Sequence, residues 1–276
     1  MTRHAARRLS RGGLALFRAC ALAAPIALAS ASPALAGPPF FTDDPEPVSF
    51  RHYELYMFTT SDRLNGAHSV AGPAIEFNAG VFPNVQFHVV APRASFTAPD
   101  APRMAGYGDT EVGIKFRFVQ ETAGRPQIGI FPMVEVATGD PNRGLGNGRT
   151  WFRIPVWIQK SSGPWKTYGG GGVALNNAPG AQNYGFGGWL LQRDLSPKLT
   201  LGAEVFAQGA NAVGGRGYML YNVGGYYNPT PQLSVLFSVG HSVSGEQHAV
   251  RYLGLYYTFP RPAEENKDAH PAPAPK

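Results

Sequence analysis

A few short stretches carry residue types that could do chemistry. Gly240-His-Ser-Val-Ser244 falls one residue short of the Gly-x-Ser-x-Gly elbow of hydrolases, which works on a strand-to-helix turn. Here the stretch ends an alternating run and precedes a short loop. His241 and Ser242 are adjacent, so in a strand they point to opposite faces. Asp140-Pro-Asn-Arg-Gly-Leu-Gly-Asn-Gly148 has the look of a calcium loop, but its twelfth position is Trp151 where such loops need a bidentate Glu. It reads instead as a glycine-turned loop. Gly169–Gly172 lacks the Lys-Ser/Thr and the helix of a phosphate loop; within a strand it allows curvature or makes room for a neighbouring aromatic ring. Asp43-Asp44 offers two acids, too few for a metal site. The expectation is a protein with no catalytic residues, no metal and no cofactor.

A different set of polar residues is spaced for another purpose. His52, Glu54, Glu76, His88, Glu111, Lys115, Arg117, Glu135, Arg153, Glu204 and Gln208 each stand on one face of an alternating segment, opposite an apolar face. Val112, Ile114, Phe116 and Phe118 alternate with Glu111, Gly113, Lys115 and Arg117. Leu253, Leu255, Tyr257 and Phe259 alternate with Tyr252, Gly254 and Tyr256. Period-two patterning marks strands with two unlike faces. If the apolar face meets lipid, the charged face must turn inward, because Arg or Lys on the lipid side costs roughly 2–4 kcal/mol at mid-depth. Inward, these groups either line a wet pore or cross-link into a sealed interior. Their mixed signs argue against strong ion selectivity.

Twelve such runs begin near residues 49, 73, 85, 109, 127, 152, 166, 184, 199, 218, 233 and 249; ten is the alternative count, since the segments at 166–175 and 184–195 are broken by glycine. The connections alternate. Pro83-Asn84, 121–126, 161–165, 195–198 and 228–232 are short, whereas 61–72, 97–108, 140–149, 176–183, 211–217 and 244–248 are mostly longer and glycine-rich. A transmembrane antiparallel β-barrel sorts its loops this way, with an even number of strands of about ten residues, and its closure satisfies the backbone without an edge strand. The expected architecture is all-β, an up-and-down barrel of about 12 strands over 49–259. Tyr53, Trp151, Trp165, Tyr226, Tyr227 and Tyr257 fall at strand ends, where they are expected in interfacial girdles.

The 276-residue chain has 24 basic and 18 acidic residues, and one cysteine. Arg3, Arg7, Arg8 and Arg11 precede an apolar stretch that ends Ser32-Pro-Ala-Leu-Ala36, the pattern of a secretory signal peptide cleaved after Ala36. Arg18 and Pro25 break the run well short of the roughly 20 residues of a membrane-spanning helix. Removal of 1–36 takes five arginines, Cys20 and no acid, leaving 19 basic against 18 acidic residues. The basic excess is therefore mostly leader, and no nucleic-acid partner is expected. Residues 37–48 are expected as a periplasmic N-terminal segment and 260–276 as a disordered Pro/Ala/charged tail.

Several segments together resemble a known family: Gly37-Pro-Pro-Phe-Phe-Thr-Asp-Asp-Pro-Glu-Pro47, Gly108–Phe118, Ala137–Gly148, Ile154–Lys160 and Gly163–Gly172. They are similar to the proteobacterial outer-membrane transporters described as "putative MetA-pathway of phenol degradation". The resemblance implies an outer-membrane barrel of a Gram-negative bacterium that passes small solutes, aromatic ones among them, without a cofactor. It supplies no transport residues. Tyr257 and Phe259 at the end of the last run look like the signal read by barrel-assembly machinery, and outer-membrane lipid is the other expected partner. Two further classes stay open: a non-conducting barrel for surface binding or envelope structure, and a lipid-modifying barrel enzyme.

Overall fold

The computed structural model describes residues 38–260; the leader (1–36) and all of the tail beyond Pro260 lie outside the described residues. The chain forms twelve antiparallel strands in sequence order. They are β1 (Tyr53–Leu64), β2 (Ala67–Phe82), β3 (Val85–Thr97), β4 in two parts (Met104–Tyr107 and Thr110–Val119) and β5 in two parts (Gln127–Ile130 and Met133–Val136). The remainder are β6 (Trp151–Ser162), β7 (Trp165–Leu175), β8 (Tyr184–Ser196), β9 (Leu199–Gln208), β10 (Tyr218–Tyr227), β11 (Leu233–Gly245) and β12 (His248–Phe259). Each strand pairs with its sequence neighbours, and β1 pairs with β12 from Tyr53↔Phe259 to Leu64↔His248. The sheet is a closed barrel.

Parity of the alternation decides which side chains face out. Leu55, Met57, Ile114, Phe116, Ile154, Val156, Leu191, Val205, Val223 and Leu255 are exposed on the outer wall, an apolar belt that only a hydrocarbon surrounding leaves without penalty. Tyr53, Trp165, Tyr227 and Tyr257 stand exposed at the short-turn ends of their strands, as an interfacial girdle requires. Trp151 and Tyr226, expected in the girdles, are corrections: both face the lumen. Trp151 shares the inward parity of buried Arg153, and Tyr226 lies opposite buried Leu236.

Two connections of the glycine-rich set are tight turns. β1 and β2 extend through most of 61–72 and meet at Asn65-Gly66, with φ of 50° and 83°. Positive φ at both central positions matches a type I′ hairpin, for which Asn-Gly is the favoured pair. β11 and β12 are joined through Glu246-Gln247 alone. The two-part strands differ in parity: Phe131 and Met133 stay inward in β5 although Pro132 interrupts its ladder, whereas β4 shifts by one residue at its break, with Tyr107 exposed opposite Arg93 and Glu111 buried opposite Val90.

Residues 38–48 do not lie outside the barrel as expected. They run back into it, and Phe40, Thr42, Asp43 and Val48 are buried. The reason is chemical complementarity with the inner wall: the Phe40-Phe41 pair finds apolar partners there, and the backbone and acids that follow find polar ones.

Candidate functional site

The lumen is built from three contributions. The first is a polar chain that crosses strands. Asn78 on β2 donates from Nδ2 to Glu76 at 2.9 Å and to Glu54 at 3.3 Å. That fixes its amide, so its oxygen faces His88 Nδ1 at 2.7 Å. The other ring nitrogen of His88 meets Glu111 Oε1 at 2.8 Å. With acceptors on both sides, the ring donates from both nitrogens. Glu111 in turn takes a hydrogen bond from Arg153 on β6, whose Nη2 is also 3.6 Å from Glu135 on β5. All of these from Glu76 onward are buried, and buried charges persist only when paired and hydrogen-bonded.

The second contribution is aromatic and apolar. Phe58, Val90, Leu236 and Tyr252 form one buried cluster, Phe131, Met133 and Trp157 another, and Phe206, Leu220 and Val250 a third. The Phe58 and Tyr252 rings stack at 5.3 Å. These side chains fill the lumen at mid-depth.

The third is the returning N-terminal segment. Glu204 accepts the backbone N–H groups of Phe41, at 3.1 Å, and Thr42. Lys115 Nζ lies 3.0 Å from Asp43 and 3.7 Å from Asp44. Gln86 accepts from Val48 N at 2.9 Å, while Gln127 and Gln159 both reach Glu46. Ser238 donates to Pro39 O and Tyr226 to Pro38 O. Phe41 stacks on Phe206 at 5.2 Å, and Phe40 packs with Tyr168 and Leu190. The segment is a plug held by these seven polar side chains of the wall and by the packing of its phenylalanines.

Below it, a vestibule of about 910 Å³ is lined by Glu54, Tyr56, Lys115, Tyr168, Tyr226 and Tyr256, and reaches the short-turn residues Pro164, Lys198 and Pro231. It therefore opens at the end that carries the chain's entry into β1. At the opposite end, the loop between β5 and β6 folds over β4. Asp109 accepts from Gly139 N at 2.9 Å and Asn147 N at 2.6 Å, Leu145 is buried, and Gly144 and Gly148 have φ of 66° and 74°.

Of the residues singled out by spacing, Glu54, Glu76, His88, Glu111, Lys115, Glu135, Arg153 and Glu204 enter these networks. Arg117 donates to Asn84 and Gln127. Gln208 sits near the long-loop end, accepting from Tyr218 at 3.4 Å. His52 lies just before β1, its Nδ1 3.1 Å from Phe50 O. Tyr257 faces outward and Phe259 stacks on Tyr53 at 5.3 Å. His241 is exposed and Ser242 buried, on opposite faces, with Ser242 Oγ accepting from His248 N at 2.9 Å. Spacing passed over Asn78, Tyr56 and Tyr256, which hold Glu54 through hydrogen bonds of 3.3, 3.1 and 2.6 Å. Their inward parity is readable in the alternation.

No protein-family model matches the chain, and no curated protein matches it. Solved structures do. An outer membrane channel from Pseudomonas putida F1 superposes with a TM-score of 0.64 at 12% identity, covering 78% of this chain and 98% of that one. The chain has the fold of the outer-membrane β-barrels. The translocator domain of the autotransporter NalP from Neisseria meningitidis gives 0.51 at 12% identity, covering 74% and 88%. The KdgM porin in complex with disordered oligogalacturonate gives 0.50 at 11%, covering 74% and 99%. At such identities the likeness is one of fold.

Proposed function

We propose that this chain is an outer-membrane channel for passive passage of small solutes, aromatic ones among them, held shut by its own N-terminal segment. The observation that carries the reading is the vestibule, a tyrosine-lined chamber that ends at a plug fixed by hydrogen bonds, by the ion pairs of Lys115 and Arg117 with its acids, and by the packing of Phe40 and Phe41. A purely structural barrel has no need of such a chamber. The phenolic rings of Tyr56, Tyr168, Tyr226 and Tyr256 give flat, amphipathic contacts suited to small aromatic solutes. The polar wall supplies hydrogen bonds without a dominant sign of charge. No cofactor is needed, since width and lining set what passes. A cleaved leader and assembly machinery acting on the last strand are parts of the same reading.

The filled mid-lumen favours a second reading, a non-conducting barrel. Single-channel recording separates the two. The mature protein and a form lacking residues 38–48 are compared in planar bilayers. A channel conducts more, and for longer, without the segment. A wall that stays silent in both forms is not a channel.

A further inference from the structure

The outer wall carries a feature that the lumen does not use. On the lipid-facing side of β9 to β12 and the adjoining β1, Thr59, Leu201, Val223, Phe237 and Leu253 surround a concavity of about 710 Å³, with Arg251 at its edge. The register accounts for it. Leu201, Gly225, Phe237 and Leu253 stand side by side on four successive strands, and Gly225 contributes no side chain to the row.

One row nearer the long-loop end, Arg251 pairs with Ser61 on β1; Arg63, two residues on, pairs with His68 on β2. Arg103 reaches across to Ser95 Oγ at 3.0 Å. Arg63, Arg103 and Arg251 all act electrostatically on His68, whose Nε2 is buried without a hydrogen-bond partner. The three arginines are exposed, and none takes part in an ion pair among the described residues. Cations gathered on a bilayer-facing wall repel one another and are costly to leave uncompensated. Arg251 lies three residues inside β12, about 10 Å along the strand from its outer end and less along the normal of a tilted strand. That is interfacial depth.

We infer that this face binds a phosphorylated, acylated lipid of the outer leaflet. Its phosphate sits on Arg63, Arg103 and Arg251, and one acyl chain lies along the Leu201–Gly225–Phe237–Leu253 depression. The guanidinium fork suits phosphate oxygens, and the apolar row that starts at Leu253, two residues from Arg251 on the same strand, suits the chain that such a lipid must carry. The site rests on the barrel's sitting in a bilayer and is independent of whether the lumen conducts.

Native mass spectrometry of the detergent-extracted protein tests it, with bis-phosphorylated lipid A and its dephosphorylated counterpart as probes. The phosphorylated lipid binds about tenfold tighter or more. A triple Arg63→Gln, Arg103→Gln, Arg251→Gln variant loses that preference, while retained heat-dependent gel migration shows that the barrel is folded. Equal binding of both lipids, or an unchanged preference in the folded triple variant, overturns the assignment. Displacement by inorganic phosphate alone overturns the acyl slot. A dimer that the triple substitution dissolves gives the face to a second copy instead.

Discussion

Glu204 on β9 accepts the backbone N–H groups of both Phe41 and Thr42, joining the wall to a segment 162 residues away in sequence. The contact is between a side chain and backbone, so it constrains the path of the plug more than its sequence. Glu204→Ala leaves two buried donors without acceptors, at roughly 1–3 kcal/mol each. The expected result is longer and more frequent openings in planar bilayers, with unchanged heat-dependent migration. Conductance identical to the parent would show that Glu204 does not hold the plug.

Steric reach into the same contact gives an independent test. A Cβ on Gly188 would collide with Thr42 Oγ1 and press on Phe206 and the Val205 carbonyl. Gly188→Ala is therefore expected to push the plug away from the wall. The channel openings of Gly188→Ala should match those of Glu204→Ala, whereas Gly124→Ala, with no atom near its Cβ, should be indistinguishable from the parent.

Arg153 faces two carboxylates from a fully buried position. Removing it leaves Glu111 and Glu135 without their shared cation, and loss of one partner from a buried pair costs about 3–5 kcal/mol. Arg153→Met should lower the urea midpoint of unfolding in detergent sharply. The triple change Arg153→Met, Glu111→Gln, Glu135→Gln should recover most of that loss. A triple variant as unstable as the single one would mean that packing at Arg153, not charge, is what matters.

The strand faces were legible because lipid outside and polar groups inside impose opposite demands on alternate residues. Glu111, Lys115 and Arg117 opposite Ile114, Phe116 and Phe118 admit only one orientation. The plug was not legible, since residues 38–48 have no period and their partners Glu204, Lys115 and Gln86 are distant in sequence. Its one local signal is Phe40-Phe41, an apolar pair with no place in a solvated leader stub. The girdle errors at Trp151 and Tyr226 came from position along the strand being used where parity decides. Asn65-Gly66 was hidden inside a stretch read as a long loop, although the dipeptide itself names the turn.

Glu121, in the turn after β4, gives a pH test outside the membrane-spanning strands. Burial pushes its carboxyl up, but the Ser161 N–H at 2.9 Å and Lys160 Nζ at 3.0 Å outweigh this and hold it below the usual carboxylate range. A depressed carboxylate stabilises the folded state above its unfolded pKa, and that contribution is lost as pH falls through the folded value. Glu121→Gln should therefore speed hydrogen exchange at the Ser161 amide near neutral pH, relative to the parent. The gap should close as the solution is acidified below about pH 4, near the ordinary carboxylate value. The effect is small because the pair is partly exposed and solvent screens it. A gap that persists unchanged into acid would show that Glu121 acts by shape alone.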